Sequence, residues 1–198
     1  SNLSLLFCFI LLTLLIIFIC YKKFKAFLII VILFILFVHF TNQPLATTFT
    51  ALNVGQGDGF LFQTKNNENV MIDTGGKVVQ SNNKDNHYIA KYHIMPTLKS
   101  RGISQIDHLI LTHPHNDHIG EFPYLAQNIR IKNLYLYLKS YSVEQIKTIN
   151  TFCNMYHIKL IDASRIDKIH LKEAKISFLH VFIDSIEDKN AQSIILLI

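Results

Sequence analysis

The sequence predicts an α/β domain of layered sheet and helices, preceded by two apolar helices that form a hairpin. Three observations support this fold class. Nearly all of the excess apolar character lies before residue 42. From Thr48 onward, short strand-like runs come first as a meander and then alternate with helical patterns. A histidine-dense loop, His113 to His118, directly follows one of the apolar strands.

The first 41 residues are predicted to form two transmembrane helices. Leu3 to Cys20 carries no charge, and at about 1.5 Å per residue it approaches the ~30 Å hydrocarbon core of a bilayer. The run from Ala26 to Phe40 is shorter and spans a bilayer only if Lys25 extends its amine toward the headgroups. Tyr21 to Lys25 holds three lysines between the two runs. The positive-inside rule places this turn in the cytoplasm, so a multi-pass membrane protein with an extracytoplasmic domain is expected.

A second interpretation treats the same region as a secretory signal. Lys22 to Lys25 would be its basic region, Ala26 to Phe40 its apolar core, and Pro44 to Ala46 its cleavage zone. The long apolar segment upstream does not fit the short leading region of a signal peptide. Both interpretations export the remainder, which is assigned to a linker over residues 42–47 and a domain over residues 48–198.

The net charge of +5 is not by itself a nucleic-acid signature. Three of the 19 basic residues are the turn lysines, which leaves 16 basic against 14 acidic side chains in the rest of the chain. Cys8 and Cys20 lie in the first apolar segment, and Cys153 stands alone in a predicted helix. Neither a disulfide framework nor a thiolate metal site is therefore predicted.

The exported region is predicted to begin with hairpins and to continue with alternating strands and helices. The predicted strands are Thr48 to Val54, Phe60 to Thr64, Val70 to Asp73, Ile106 to Leu111, Asn133 to Leu138, Lys159 to Asp162, Lys175 to Ile183 and Ser193 to Ile198. The predicted helices are Tyr88 to Leu98, interrupted by Pro96, then Glu121 to Asn128 and Val143 to Tyr156. Ser81 to Asn86 is expected to be an exposed loop.

The last of these helices has a clear start and a clear buried side. Ser142 stands where an N-cap is expected, and one stripe of the helix is apolar. The stripe is interpreted as core rather than as a binding face, and it comprises Val143, Ile146, Ile149, Phe152 and Cys153.

The loop from His113 to His118 places three imidazoles and a carboxylate within six residues. Side chains alternate on an extended loop, so His113 and His115 are expected to point one way. Asp117 and His118 can then turn toward a second site about 3.5–4 Å away. Imidazole and carboxylate ligands suit Zn²⁺, Mn²⁺ or Fe. The alternative is a polar loop that is histidine-rich by chance, but the density of ligands favours a metal site.

Two glycine-containing turns precede this loop in the sequence. Val54 to Gly59 joins two strands and lacks the helix of a dinucleotide fingerprint, so nucleotide binding is not predicted. This turn is either only a tight turn or a means of bringing Asp58 to the metal loop. Ile72 to Gly76 ends a strand with Asp73, which can orient a metal-bound histidine; the alternative is an Asx turn.

The other seven histidines show no ligand spacing. His39 is expected near a membrane interface and His180 in a strand. The remaining five are His87, His93, His108, His157 and His170.

Together these motifs resemble a known family. The loop from His113 to Gly120 matches the HxHxDH signature of the metallo-β-lactamase superfamily. Asn53 to Asp58, Ile72 to Gly76, Arg101 to Ile103 and Ile106 to Thr112 resemble the extracellular hydrolase domain of ComEC-type competence proteins. In that family the domain follows a polytopic channel that imports single-stranded DNA. The resemblance implies a metallo-β-lactamase-like αββα sandwich, here its N-terminal part, with the apolar pair as the last channel helices.

The resemblance also implies roles for individual residues. His113 and His115 resemble ligands of a first cation, while Asp117 and His118 resemble ligands of a second. Two Zn²⁺ or Mn²⁺ ions per complete site are therefore expected. Asp117 is also the expected catalytic residue.

Other positions support the site or depart from the family pattern. Asp73 and Asp58 are expected to support the ligands. The family's third histidine, bridging aspartate and final histidine have no counterpart, because Asn190 to Ser193 stand near the third position and the chain stops at Ile198. A fragment with impaired catalysis is expected. Smaller departures are Asn53, Gly59 and Glu121, the last standing where a second glycine is usual.

The implied activity of the complete protein is that of an enzyme, a metal-dependent phosphodiesterase in which two cations activate water and stabilise the attacking and leaving oxygens. The implied substrate is incoming DNA, single or double stranded. The implied partners are the membrane and the channel segments missing from this chain. Two alternatives stay open: a noncatalytic module that guides DNA or gates the channel, and a metallo-hydrolase of a small ester or amide.

Overall fold

The computed structural model describes residues 8–16, 24–41, 44, 46–55, 57–76, 87–179 and 193–198. The chain divides into two compact units, Ser1–Gln43 and Pro44–Ile198. In the first unit, residues 8–16 are helical (α1) and helix α2 spans Phe24–Thr41. Within the described residues, no helix combines the length and the apolar character needed to cross a bilayer. The membrane hairpin stays a prediction, and most of its lysine turn lies outside the described residues.

The second unit contains one six-stranded and one three-stranded sheet within its described residues. The larger sheet has the order β1-β2-β3-β4-β5-β6, in which β1 to β3 pair antiparallel and β3 to β6 pair parallel. Its strands are β1 (Thr48–Ala51), β2 (Phe60–Gln63), β3 (Asn69–Ile72), β4 (Gln105–Ile110), β5 (Arg130–Leu136) and β6 (Lys159–Asp162). The smaller, antiparallel sheet contains β7 (Lys168–His170), β8 (Lys175–Leu179) and β9 (Ile195–Leu197). This is the mixed α/β arrangement that the sequence predicts.

Four α-helices are described in this unit: α3 (Met95–Ser100), α4 (Asn116–Ile119), α5 (Phe122–Asn128) and α6 (Val143–Met155). A π-helical turn, Ala90–Ile94, leads into α3, so residues 88–100 form one continuous helical segment. Pro96 was expected to interrupt this helix and does not. It falls in the first turn of α3, where a missing N–H is tolerated, and the wider turn before it lets the N–H of Met95 donate to the carbonyl of Ala90.

Two apolar cores cover the two faces of the larger sheet. On one face, strand residues such as Leu61 and Leu134 pack with helical residues such as Ile94 and Leu125. On the other face, Tyr135 and its neighbours pack with residues of the smaller sheet, Phe178 among them. The unit is therefore layered as helices, sheet and sheet, and burial of these apolar surfaces drives its folding.

Several predicted boundaries need correction. Strand β7 was not predicted, and β5 begins at Arg130 rather than at Asn133. Ser142 does cap α6, through a capping box with Gln145. Val143 was assigned to the buried stripe of that helix but is 86% exposed, because it is the first helical residue and extends past the core. The Ser81 to Asn86 loop and the end of the predicted strand Lys175 to Ile183 lie outside the described residues.

Candidate metal centre

The histidine loop begins three residues after the carboxyl end of β4, at the sheet edge where ligand sites of parallel strands form. It was predicted to be extended, but only its first part is. Asn116–Ile119 form the helical turn α4, with His115 as an extended N-cap residue whose carbonyl accepts the N–H groups of His118 and Ile119. The turn gathers the side chains of the loop into one cluster, which strict alternation would have separated.

Three side chains of the loop converge. One ligand atom from each of His113, Asp117 and His118 lies within 4.8 Å of the others. The ring centroids of His113 and His118 are 3.7 Å apart, and Nε2 of His118 is 3.8 Å from Oδ2 of Asp117. Both imidazoles are buried, while Asp117 is half-buried. A set of two imidazoles and one carboxylate with these spacings can hold a divalent cation.

Asp73 sets the orientation of one of these rings. Its side chain is 2% exposed, and its Oδ2 lies 2.8 Å from Nδ1 of His118. Thr112 donates to the same carboxylate twice, from its N–H at 2.7 Å and from its hydroxyl at 2.6 Å. Because a carboxylate only accepts, Nδ1 of His118 must carry a proton, which leaves the lone pair of Nε2 toward Asp117. This arrangement fixes the histidine tautomer that a metal needs.

Asp58 approaches the same histidine from a more exposed position. Its Oδ2 is 3.9 Å from Nδ1 of His118, and its side chain is 56% exposed. Asp58, Asp73 and His118 also satisfy the 4.8 Å spacing of a ligand group. Their shared imidazole nitrogen is the one already engaged by Asp73, so the set containing Asp117 fits a cation better.

His115 lies beside this cluster but outside both ligand groups formed by the described residues. Its ring meets that of His113 edge to face, with centroids 5.1 Å apart, and the residue is half-buried. The division of His113 and His115 to one cation and of Asp117 and His118 to another stays a prediction.

The two buried imidazoles have opposite pKa shifts. Burial, followed by the neighbouring His118, lowers the pKa of His113, so its ring is neutral at physiological pH. Burial also acts to lower the pKa of His118, but the hydrogen bond and the charge of Asp73, with the charges of Asp117 and Asp58, outweigh it and raise the pKa. The site therefore combines a ready neutral ligand with an imidazole surrounded by carboxylates.

Close backbone contacts hold the loop in place. A Cβ on Gly57, whose φ is +90°, would overlap the carbonyl oxygen of Asp117, and a Cβ on Gly76 would overlap that of Asn116. The N–H and the hydroxyl of Thr74 both donate to the carbonyl of His118, at 2.7 and 2.9 Å. Both glycine turns identified in the sequence thus lie against the loop, and only glycine leaves room for it.

Glu121 is a residue whose role the sequence did not reveal. It is 1% exposed, and its Oε2 lies 3.2 Å from Nδ1 of His87. Hydrogen bonds from the N–H groups of Ala90 and Ile89 also reach its carboxylate. Glu121 therefore ties the end of the metal loop to the start of helical segment 88–100. Its only sequence signal was the departure from the glycine usual at this position.

The remaining histidines were not predicted as ligands. His93, His108, His157 and His170 belong to neither ligand group. His39 lies within α2, and Gln56, His180 and Asn190 to Gln192 lie outside the described residues.

Comparison with known proteins finds similarity in the region that contains this loop. Residues 52–145 match the model of the Metallo-beta-lactamase superfamily. The chain is similar to ComE operon protein 3 of Bacillus subtilis (strain 168), with 27% identity over 151 residues that make up 73% of this chain and 20% of that protein. It therefore spans about a fifth of the length of this curated relative.

Two solved structures are also similar. The metallo-beta-lactamase fold protein YhfI from Bacillus subtilis shares 21% identity, with 67% of this chain and 52% of that chain covered and a TM-score of 0.38. A mutant of CmlA beta-hydroxylase shares 13% identity, with 69% of this chain and 24% of that chain covered, also at a TM-score of 0.38.

Proposed function

Because residues 52–145 carry a metallo-beta-lactamase superfamily domain, which implies divalent metal binding, we propose that the chain is a metal-dependent phosphodiesterase domain of a competence-type protein. Its proposed substrate is DNA entering the cell. The observation that carries this proposal is the convergence of His113, Asp117 and His118 within 4.8 Å at the carboxyl edge of the sheet. The resemblance to competence proteins and the similarity to ComE operon protein 3 support DNA over other phosphodiesters.

The chemistry of the donor set fits a divalent cation. His113 is neutral because burial lowers its pKa. His118 presents Nε2 to a cation because Nδ1 is engaged by Asp73, and the cation would displace the Nε2 proton that the raised pKa of His118 favours. Asp117 adds one negative charge. We propose Zn²⁺ or Mn²⁺, two ions per complete site, with His115 as a further ligand. Such a cation, when bound, supplies Lewis-acid activation of water and neutralises charge at the phosphate.

The residues around the site would have different roles in binding the cation. His113, Asp117 and His118 hold the cation, and Asp73 keeps His118 in the tautomer that can bind it. Asp58, exposed at the rim, adds negative charge beside the same ring. Both imidazoles are buried, so a cation held by them would lie in a region of lowered dielectric, where charges interact more strongly than in water.

A nuclease assay with matched histidine variants tests this function. The full chain in mild detergent, supplied with Mn²⁺ or Zn²⁺, should cleave DNA slowly, as expected of a partial ligand set, and His113→Ala and Asp117→Ala should reduce cleavage to the level seen with chelator. His170→Ala is the matched control, because His170 is exposed on β7 and belongs to neither ligand group. Full activity in either ligand variant would contradict the metal assignment. Cleavage of an activated ester but not of DNA would favour the small-substrate hydrolase instead.

We also propose that the domain is held at the cell membrane by the apolar hairpin and lies outside the cytoplasm, in contact with the rest of the uptake channel. The three lysines between the apolar segments support this topology. A cysteine at the exposed Ser164 should react with an impermeant maleimide in intact cells. The control is the parent chain, which has Cys8, Cys20 and Cys153, and only labelling above its level is assigned to the new cysteine. Burial raises the pKa of the Cys153 thiol to about 11 and makes it slow to react. Protection of the new cysteine would contradict the topology.

A further inference from the structure

The helical segment 88–100 carries an exposed aromatic cluster that the metal site does not use. Tyr88 is 46% exposed and Tyr92 50% exposed, and their ring centroids are 4.9 Å apart. The ring of His93 lies 5.5 Å from that of Tyr88, and Nζ of Lys91 lies 5.0 Å from the centroid of Tyr92. We refer to Tyr88, Lys91, Tyr92, His93 and Lys99 as the tyrosine face.

Packing against the core does not account for this cluster. The same segment fills the helix-side core with other residues, which are Ile89, Ala90, Ile94, Met95 and Leu98. The π-helical turn within it is a rare element that occurs often at functional sites. Adjacent half-exposed aromatic rings on a domain surface are typical of a binding surface, because their apolar faces gain from being covered.

The charge around the rings indicates the class of ligand. From His87 to Arg101 the chain has two lysines, one arginine and two histidines, and it has no acidic residue. Lys91 and Lys99 are both exposed. A surface that alternates aromatic rings with cations fits a flexible polyanion that carries flat rings, and single-stranded nucleic acid has both properties. The bases of a duplex are stacked on each other and cannot be covered by the tyrosines.

The tyrosine face begins next to the metal loop. His87, the residue before Tyr88, contacts Glu121, which lies three residues after His118. The N–H of Glu121 donates to the carbonyl of Gly75 at 3.3 Å, in the turn that follows Asp73. A strand lying along the helical segment would thus approach the metal centre at the amino-terminal end of that segment.

We propose that the tyrosine face binds single-stranded nucleic acid, with bases stacked on Tyr88 and Tyr92 and phosphates beside Lys91 and Lys99. The inference deepens the proposed function and rests on it for the assignment of DNA as the natural ligand. It adds a binding surface and a preference for single strands.

Binding without cleavage tests this surface separately from catalysis. A fluorescent thymidine oligonucleotide of about 12 nucleotides is titrated with the full chain in detergent and chelator, and anisotropy is followed. The double variant Tyr88→Leu with Tyr92→Leu should bind at least about tenfold more weakly, because stacking on each ring is lost. Tyr88→Phe with Tyr92→Phe keeps the ring faces and should bind like the parent. Lys91→Gln should flatten the dependence of affinity on salt.

An exposed aromatic elsewhere provides the matched control. Phe49 on β1 is 55% exposed, and Phe49→Leu should leave the affinity unchanged. The proposal that the tyrosine face binds single strands would be overturned by either of two results. One is equal affinity of the double leucine variant and the parent, and the other is no binding of the single strand by the parent in chelator. Tyrosine-dependent binding by a chain that never cleaves DNA with metal would instead support the surface while refuting the phosphodiesterase.

Discussion

Two buried aspartates lie toward opposite ends of the central strands of the larger sheet, at its amino edge and its carboxyl edge, and they have different hydrogen-bond partners. Asp107, near the amino end of β4, accepts from the N–H of Asn69 at 2.9 Å, from Gln105 at 2.8 Å and from Lys132 at 2.7 Å. Asp73, after the carboxyl end of β3, accepts from Thr112 and from the Nδ1 of His118. One carboxylate has a full cation as partner, and the other has an imidazole.

The comparison shows that a buried aspartate can stabilise the fold at one edge of the sheet and orient a candidate metal ligand at the other. The three partners of Asp107 come from β3, β4 and β5, so its hydrogen bonds join these three strands. The imidazole on Asp73 has a second nitrogen that points toward Asp117. Asp73 would thereby influence a cation bound at the proposed site through His118, although it belongs to no ligand group with His113 or Asp117.

The largest effect is expected from Asp107→Ala. The substitution leaves the buried N–H of Asn69 without this acceptor and removes the hydrogen bonds to Asn69 and Gln105, each worth about 1.5–3 kcal/mol because the acceptor is charged. It also removes the solvent-screened pair with Lys132. We expect a loss of at least about 3 kcal/mol in the free energy of unfolding, with unchanged affinity for Zn²⁺ or Mn²⁺ in the folded protein. Urea denaturation followed by tyrosine fluorescence measures the loss.

Lys132→Met is the matched control for that experiment. The lysine side chain is 46% exposed, so solvent screens its charge and its removal should cost at most about 1 kcal/mol. If both variants were equally unstable, the ion pair rather than the hydrogen bonds to Asn69 and Gln105 would hold this edge together.

The next effect concerns the opposite edge, where Asp73→Asn should weaken metal binding about 10–100-fold. An asparagine keeps the shape but can donate its amide to Nδ1 of His118, which would move the proton to Nε2 and block the ligand atom. Calorimetric titration with Zn²⁺ and with Mn²⁺ measures the affinity. Asp107→Asn makes the same chemical change at the other edge and should not alter it. Equal metal affinities of the parent, Asp73→Asn and Asp107→Asn would show that Asp73 does not support metal binding.

The two edges also differ in how much of them the sequence could predict. The proposed metal ligands lie close together in the chain, from His113 to His118, so their density can be seen in the sequence alone. The glycine turns that carry Asp58 and Asp73 were recognisable for the same reason, because tight turns have local signals. The succession of most strands and helices along the chain was predictable because the spacing of apolar residues reflects which face of each element is buried.

Contacts between distant residues were not predictable in this way. Lys132 and Asp107 are 25 residues apart, and His87 and Glu121 are 34 apart, so no local spacing relates them. The helical turn Asn116–Ile119 was missed because the glycines at 57 and 76 that crowd against it come from other loops. Each of these features depends on tertiary packing, which overrides local propensity.

The smallest expected effect is on the pH dependence of the free energy of unfolding, and it arises at the edge that contains Asp107. His108 follows Asp107 on β4, and its Nδ1 is 2.9 Å from the hydroxyl oxygen of Tyr135. Burial lowers the pKa of His108 despite the opposing charge of Asp107. Below about pH 6.5 the unfolded chain therefore binds more protons here than the folded chain, so the stabilising contribution present at neutral pH is lost as the pH falls. In chelator, the stability of His108→Gln should decline less than that of the parent between about pH 7.5 and pH 5. Parallel declines in urea midpoint would show that His108 is not protonated differently in the two states.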